Sequence, residues 1–173
     1  LRAVLLRMSE YIGKEDRSDY TGSCFDKLQA DIDAGKKQAF AYMNNTFFQE
    51  SKYFIDYMNM REQQTVVLRD IYKKIVSMRT VLPQTEQVAE LLRETAVTFG
   101  ESNNAKDLLA RREEALRRMK DSELPATRQE FEGRAVLYGI MTDLSYFLQL
   151  KKEFADSLTK EQVLKYWDGE ESV

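Results

Sequence analysis

The chain contains no histidine and only one cysteine among its 173 residues. Without an imidazole it cannot build a Ser-His-Asp or Cys-His nucleophilic site, a zinc site with histidine ligands, or a Glu-x-x-His di-iron site. The single cysteine, Cys24, has no second thiol in the chain with which to form a disulfide, which is typical of proteins from reducing compartments. We therefore expect a protein that is not an enzyme and that holds no metal or cofactor.

The sequence also has no apolar run close to the roughly 20 residues that cross a bilayer, and it does not open with a signal-peptide pattern. We expect the chain by itself to be soluble. Its 26 basic and 29 acidic residues leave a net charge of −3, which provides no general attraction to nucleic acid. Nucleic acid is therefore excluded as a predicted partner.

Proline and glycine are scarce, with two and seven residues respectively, and long stretches between them repeat their apolar residues with helical periodicity. This pattern predicts an all-α fold, an antiparallel up-and-down bundle of five to six helices. Two helices should be long, at about 48–81 and 127–156. Pro83 is expected to end the first of these, and Thr127 with Glu130 forms a capping-box pattern at the start of the second.

The same pattern predicts three segments. Residues 1–22 should be a first helix and a linker, in which the polar stretch 13–22 is a mobile loop. Residues 23–157 should form the helical bundle, and residues 158–173 a short helix, capped by Thr159 with Gln162, and an acidic tail. The stretch NNTFFQ at 44–49 predicts either a turn or a kink in a continuous helix.

Two polar residues lie on the apolar stripe of the first long helix. Stepping by three and four residues along this stripe passes through Tyr57, Arg61 and Gln64 before purely apolar positions follow. Arg134 and Tyr138 repeat the pattern on the second long helix. A guanidinium on such a stripe needs carboxylate, carbonyl or anion partners, because an unpaired buried charge costs several kcal/mol.

Three interpretations of these arginines remain open. In the first, they form internal ion pairs that set the register of the helices, as the i,i+4 spacing of Glu130 and Arg134 suggests. In the second, they form a cationic and aromatic pocket for a small carboxylate ligand. In the third, they are simply exposed to solvent. The predicted ligand-binding residues of the second interpretation are Tyr57, Arg61, Gln64, Arg134 and Tyr138.

Two segments of the chain resemble a known family. YFIDYMNMREQQ at 53–64 and LPATRQEFEGRAVLYGIMTDLSYFLQLKK at 124–152 are similar to the two best-marked stretches of the cytoplasmic C-terminal domain of the aromatic acid exporter family of bacterial membrane proteins. The order and spacing of the two stretches agree with the family over about residues 25–152. The matching residues are Met60, Arg61, Gln64, Leu124, Pro125, Thr127, Arg128, Glu130, Phe131, Glu132, Arg134, Ala135 and Tyr138.

The resemblance implies that a membrane half of several helices precedes this domain, so that residues 1–22 lead out of the bilayer. It also implies a cytoplasmic location at the bacterial cell membrane and an accessory role in transport, supporting oligomerisation or regulation. The expected partners are the transmembrane half of the same protein, a second copy of the chain, or a small aromatic carboxylate. The alternatives are a ligand-sensing module for small carboxylates and a free-standing helical adaptor that binds another protein.

Overall fold

The structure, a computed structural model, describes residues 1–43, 48–100 and 102–167, and the side chains of residues 42–51 lie outside that description. All regular elements in this part of the chain are helices, so the all-α prediction is confirmed. They are α1 (Arg2–Tyr11), α2 (Ser23–Met43), α3 (Phe48–Ser77), α4 (Thr85–Thr98), α5 (Lys106–Lys120), α6 (Arg128–Ser157) and α7 (Lys160–Tyr166).

The described residues thus contain seven helices, where five to six were predicted. The shortest is α7, whose seven residues would not form a stable helix in isolation. It begins with the predicted capping box, in which the Thr159 hydroxyl accepts from the backbone N–H of Gln162 at 3.2 Å and the Gln162 side chain accepts from the backbone N–H of Thr159 at 3.0 Å. Packing of Tyr166 and Trp167 against the core adds to this stabilisation.

The long helices α3 and α6 pack against each other in opposite directions. Near the middle of α3, the Gln64 side chain meets the backbone of Phe147. Ten residues further along α3, Lys74 meets Asp143, which is earlier in α6, with 2.5 Å between the ammonium and the carboxylate. Later residues of α3 therefore contact earlier residues of α6, as in an antiparallel pair of helices.

Helix α2 packs on α3 in the same antiparallel manner. The ring of Phe25, at the start of α2, lies 5.6 Å from the ring of Tyr72 near the end of α3. Lys36, further along α2, forms a 2.6 Å ion pair with Glu62, which is earlier in α3. The prediction of a turn or a kink at 44–49 falls largely on residues 44–47, which lie outside the described residues.

A single apolar cluster runs through the bundle. Residues from α1, α3, α4 and α6 supply most of its fully buried part, to which α2 adds Phe25, and this explains why even the short α1 is stable against the rest of the chain. Its most completely buried members include Leu5, Met8, Ile12, Leu68, Ile71, Ile75, Val88, Leu92, Leu137, Ile140, Leu144 and Phe147.

Helix α6 begins and ends close to its predicted limits, whereas α3 ends earlier than predicted. Helix α3 stops at Ser77 rather than near residue 81. The Ser77 hydroxyl donates to the Lys74 carbonyl at 2.8 Å, and the Met78 carbonyl accepts from the guanidinium of Arg17 at 2.9 Å. The Ser77 hydroxyl thus binds a carbonyl of the last turn of α3, Arg17 binds the carbonyl just after the helix, and the helix ends before Pro83 can end it.

Arg17 lies in the stretch 13–22, which was expected to be a mobile loop, yet its side chain is only 8% exposed. Its Nε and Nη2 donate to the carbonyls of Tyr11 and Ile12, each at 2.9 Å, while Nη1 binds Met78. Burial lowers the pKa of the Arg17 guanidinium from its ordinary value. Three carbonyl oxygens replace its lost water and join the end of α1 to the end of α3.

Tyr20, in the same stretch, is also buried. Its ring stacks on Tyr11 with 4.3 Å between centroids and meets the edge of Tyr72 at 4.8 Å. The Tyr72 hydroxyl donates to the Tyr20 carbonyl at 2.8 Å. The polar composition of this stretch suggested mobility because it contains few apolar side chains, but two of its longest side chains face inward and order the backbone.

We expect Arg17→Met to destabilise the domain by about 3 kcal/mol, because it leaves buried carbonyl groups without a donor while keeping most of the side-chain volume. Denaturant unfolding of both proteins measures the difference. Arg79→Met is the matched control, because Arg79 is exposed and directly follows Met78. If both variants lost the same stability, the buried guanidinium would not be responsible.

Candidate functional site

The three predicted site residues of α3 form one hydrogen-bonded unit. Tyr57 and Gln64 lie four residues before and three residues after Arg61, so all three side chains share one face of the helix. Arg61 donates from Nη2 to the Tyr57 hydroxyl at 2.8 Å and from Nη1 to Gln64 Oε1 at 3.1 Å. The unit therefore holds the guanidinium in a defined orientation.

Gln64 connects this unit to α6. It is fully buried, and its Nε2 donates to the Phe147 carbonyl at 2.9 Å. The amide oxygen faces Arg61 and the amide nitrogen faces α6, so both ends of the side chain have a partner. This explains why a glutamine occupies an apolar stripe, and it gives Gln64 a positioning role beside Arg61.

The guanidinium of Arg61 lies between two aromatic rings. Its central carbon is 4.8 Å from the centroid of Tyr57 and 5.0 Å from that of Phe99, which follows α4. Such contacts stabilise a cation that is partly removed from water. No carboxylate of the described residues lies within the 4.0 Å that defines an ion pair with Arg61. The charge of Arg61 is thus solvated by a hydroxyl, an amide and two rings.

Arg61 borders an open cleft of about 510 Å³. Helix α2 contributes Leu28, Asp31 and Ile32, whose i, i+3 and i+4 spacing places them on one face. The remaining walls come from the first residues of α1, from α3 and from the end of α4. They include Leu1, Arg2, Tyr57, Met58, Phe99 and Gly100.

Arg2 holds the α1 side of this cleft in place. Its Nε donates to the Ala96 carbonyl at 2.9 Å and its Nη2 to the Val97 carbonyl at 3.3 Å. These are among the last carbonyls of α4, where the helix dipole places partial negative charge. A cation is favourable at that position, so Arg2 is already engaged with the protein.

Arg134 has a different environment from Arg61. Its Nη2 forms a 2.5 Å ion pair with Glu130, which confirms the interpretation of these two residues as an internal pair. Nη1 donates to the Ser122 hydroxyl at 3.0 Å and also to the Glu123 carbonyl. Arg134 therefore joins the start of α6 to the connection that precedes it.

The structure brings together only part of the predicted ligand-binding set. Gln64 meets α6 at Phe147, whereas Arg134 is 13 residues earlier in α6, about 20 Å away along the helix axis. Tyr138 is a half-buried residue that packs on the core, one turn from Arg134. Helical periodicity places Tyr57, Arg61 and Gln64 on one face of α3, but it contains no information on how far along the bundle they lie from Arg134.

Sequence reasoning missed the other walls of the cleft, namely Asp31 on α2 and Phe99 after α4. The only signal for Asp31 is its position between Leu28 and Ile32 on a stripe that otherwise faces inward. The described ranges contain no cluster of three or more acidic, cysteine or histidine side chains arranged to hold a metal ion. In the same ranges, no helix combines the length and the hydropathy of a membrane span.

The fold and this cleft define an all-helical domain with an arginine-centred cleft. The chain belongs to the family described as "Putative aromatic acid exporter C-terminal domain", whose model matches residues 1–152. The match begins at the first residue rather than at about residue 25, so it includes α1 and the stretch that contains Arg17.

Two individual proteins are similar to this chain. The uncharacterized protein YqjA of Bacillus subtilis (strain 168) is 25% identical over 136 residues, which are 79% of this chain and 42% of YqjA. A crystal structure described as that of a putative membrane protein from Clostridium difficile 630 superposes with a TM-score of 0.77 at 25% identity, covering 91% of each chain. The chain therefore spans less than half the length of the curated relative that it matches.

Proposed function

We propose that this domain is a non-catalytic accessory part of a bacterial membrane transport protein and that it lies on the cytoplasmic side of the membrane. The family to which it belongs is named as the C-terminal domain of an exporter, which supports a membrane part earlier in the same protein. Arg2 and Arg7, near the start of α1, suit the cytoplasmic end of a helix that leaves the bilayer. Self-association of this domain stays a prediction.

The cytoplasmic location is tested with fusions to the C-terminus of the full-length protein. We expect green fluorescent protein to fluoresce there and alkaline phosphatase to be inactive, because the first folds in the cytoplasm and the second requires disulfides that form outside it. The same two reporters fused to a secreted protein are the control. An active phosphatase fusion would place the domain on the other side.

The accessory role is tested by removing the domain from the full-length protein. We expect a protein that ends just before Leu1 to insert into the membrane but to change the tolerance of cells to an added aromatic acid such as benzoate. Tolerance is measured by growth, and insertion by the amount of protein in the membrane fraction. Equal tolerance at equal membrane levels would contradict an accessory role in transport.

A second function, binding of a small carboxylate, is favoured by the guanidinium of Arg61. A guanidinium carries five N–H donors, and the two hydrogen bonds of Arg61 to Tyr57 and Gln64 leave three of them for an anion. The side chain is half-buried beside apolar walls, where an anion would bind more tightly than in open solvent. The family name makes an aromatic carboxylate the first ligand to test.

We expect benzoate or 4-hydroxybenzoate to raise the melting temperature of the domain, by about 4 °C at ten times its dissociation constant. The rise should disappear in Arg61→Gln. Arg69→Gln is the matched control, since Arg69 lies on the same helix with its guanidinium 5.5 Å from the ring of Phe25, outside the cleft. A shift that survives in Arg61→Gln, or no shift at millimolar concentrations, would rule out this site.

The adaptor alternative stays a prediction. Leu124 and Phe131 are 90% and 63% exposed at the start of the α6 region, and such residues can contact a partner protein.

A further inference from the structure

Two side chains of opposite charge face the cleft without pairing with each other. Arg61 contributes its guanidinium from α3, and Asp31 contributes its carboxylate from α2. No ion pair within 4.0 Å joins them. Oppositely charged side chains on facing helices often pair directly, as Lys36 and Glu62 do between these same two helices at 2.6 Å.

The other charged side chains near Asp31 and Arg61 are already engaged, and the pKa of the Leu1 α-amino group, which also lines the cleft, is lowered by burial and by Arg61. Arg2 donates to the carbonyls at the end of α4, where the helix dipole offsets its charge. Asp33, two residues after Asp31, lies outside the cleft and accepts from Gln29 at 3.1 Å. Besides the Leu1 amino group, the cleft thus presents one guanidinium with open donors and one carboxylate with open acceptors.

Apolar side chains form part of the walls between these two charges. Leu28 and Ile32 lie on the α2 side, Met58 on the α3 side, and the ring of Phe99 closes the end beside Arg61. A ligand that binds here would bury an apolar group against these walls and place polar groups of opposite charge at Asp31 and Arg61.

We infer that the cleft binds a free α-amino acid with an apolar or aromatic side chain. Its carboxylate would accept from the open donors of Arg61, and its ammonium would donate to Asp31, while its side chain would pack on the apolar walls. A zwitterion matches the pair of charges, since each ligand charge meets a partner of opposite sign. This inference rests on the carboxylate-binding role proposed for Arg61 and specifies the class of ligand.

The opposite signs of the two protein charges favour a zwitterion over a simple acid. A carboxylate that lacks an ammonium would leave Asp31 unpaired and would also be repelled by it. An amine that lacks a carboxylate would leave Arg61 unpaired and would be repelled by its guanidinium. Because four segments of the chain form the cleft, a bound amino acid would join α1 and the end of α4 to α2 and α3.

The test is calorimetric titration of the 173-residue chain with three matched ligands. L-Phenylalanine carries both charges, 3-phenylpropionate lacks the ammonium, and phenethylamine lacks the carboxylate. We expect phenylalanine to bind at least about tenfold more tightly than either of the others, which is the effect of one charge-assisted hydrogen bond.

Two variants and one control variant identify which protein side chain binds each charged group of the ligand. Asp31→Asn should weaken the binding of phenylalanine by about tenfold. It should leave the binding of 3-phenylpropionate unchanged or make it tighter, since it removes the repulsion between Asp31 and the ligand carboxylate. Asp33→Asn removes the same charge from the same helix outside the cleft and should change neither ligand. Arg61→Gln should weaken the binding of both phenylalanine and 3-phenylpropionate, because both carry a carboxylate.

The outcomes separate this inference from the function on which it rests. If 3-phenylpropionate binds as tightly as phenylalanine and both depend on Arg61, the carboxylate site stands and the amino-acid inference is overturned. Equal effects of Asp31→Asn and Asp33→Asn would overturn it as well. If no carboxylate of any kind binds, both proposals are wrong.

Discussion

The arrangement of the bundle depends on the buried guanidinium of Arg17. It donates to two carbonyls at the end of α1 and to one just after α3, and thereby joins two helix ends, Tyr11 and Ser77, that are 66 residues apart in sequence. Cations are favourable at the carbonyl end of a helix, because the unsatisfied carbonyls and the helix dipole both present negative charge. With its last residues held at α3, α1 lies against α4, where Arg2 binds the corresponding carbonyls of that helix.

The candidate site depends on this placement of α1. Leu1 and Arg2 form one side of the cleft, and Phe99 at the end of α4 covers one face of the Arg61 guanidinium. Arg2 binds the same end of α4, so the contacts that position α1 also position the wall of the site. The family match includes α1, which agrees with its role as part of the folded domain rather than as a free connection.

Arginine and glutamine make many of the polar contacts within this chain, which contains no histidine. Several of their partners are backbone carbonyls, as in the contacts of Gln64 with Phe147 and of Arg112 with Met141. A carbonyl is present at every residue, so the sequence does not show which one will accept. For this reason the carboxylate partner expected for Arg134 could be predicted from its i,i+4 spacing, whereas the partners of Arg17 could not.

The sequence by itself determined the helical class, the limits of α6 and the start of α7, because these depend on residues within one or two turns. Thr127 accepts from the backbone of Glu130, and Thr159 with Gln162 forms its capping box, whatever the rest of the chain does. Only the tertiary structure decided where α3 ends and which predicted site residues meet. The end of α3 depends on Arg17, which binds the Met78 carbonyl from a distant part of the chain. Which site residues meet follows from the axial offset of the antiparallel helices, which is set by the summed contacts of whole helix faces rather than by local spacing.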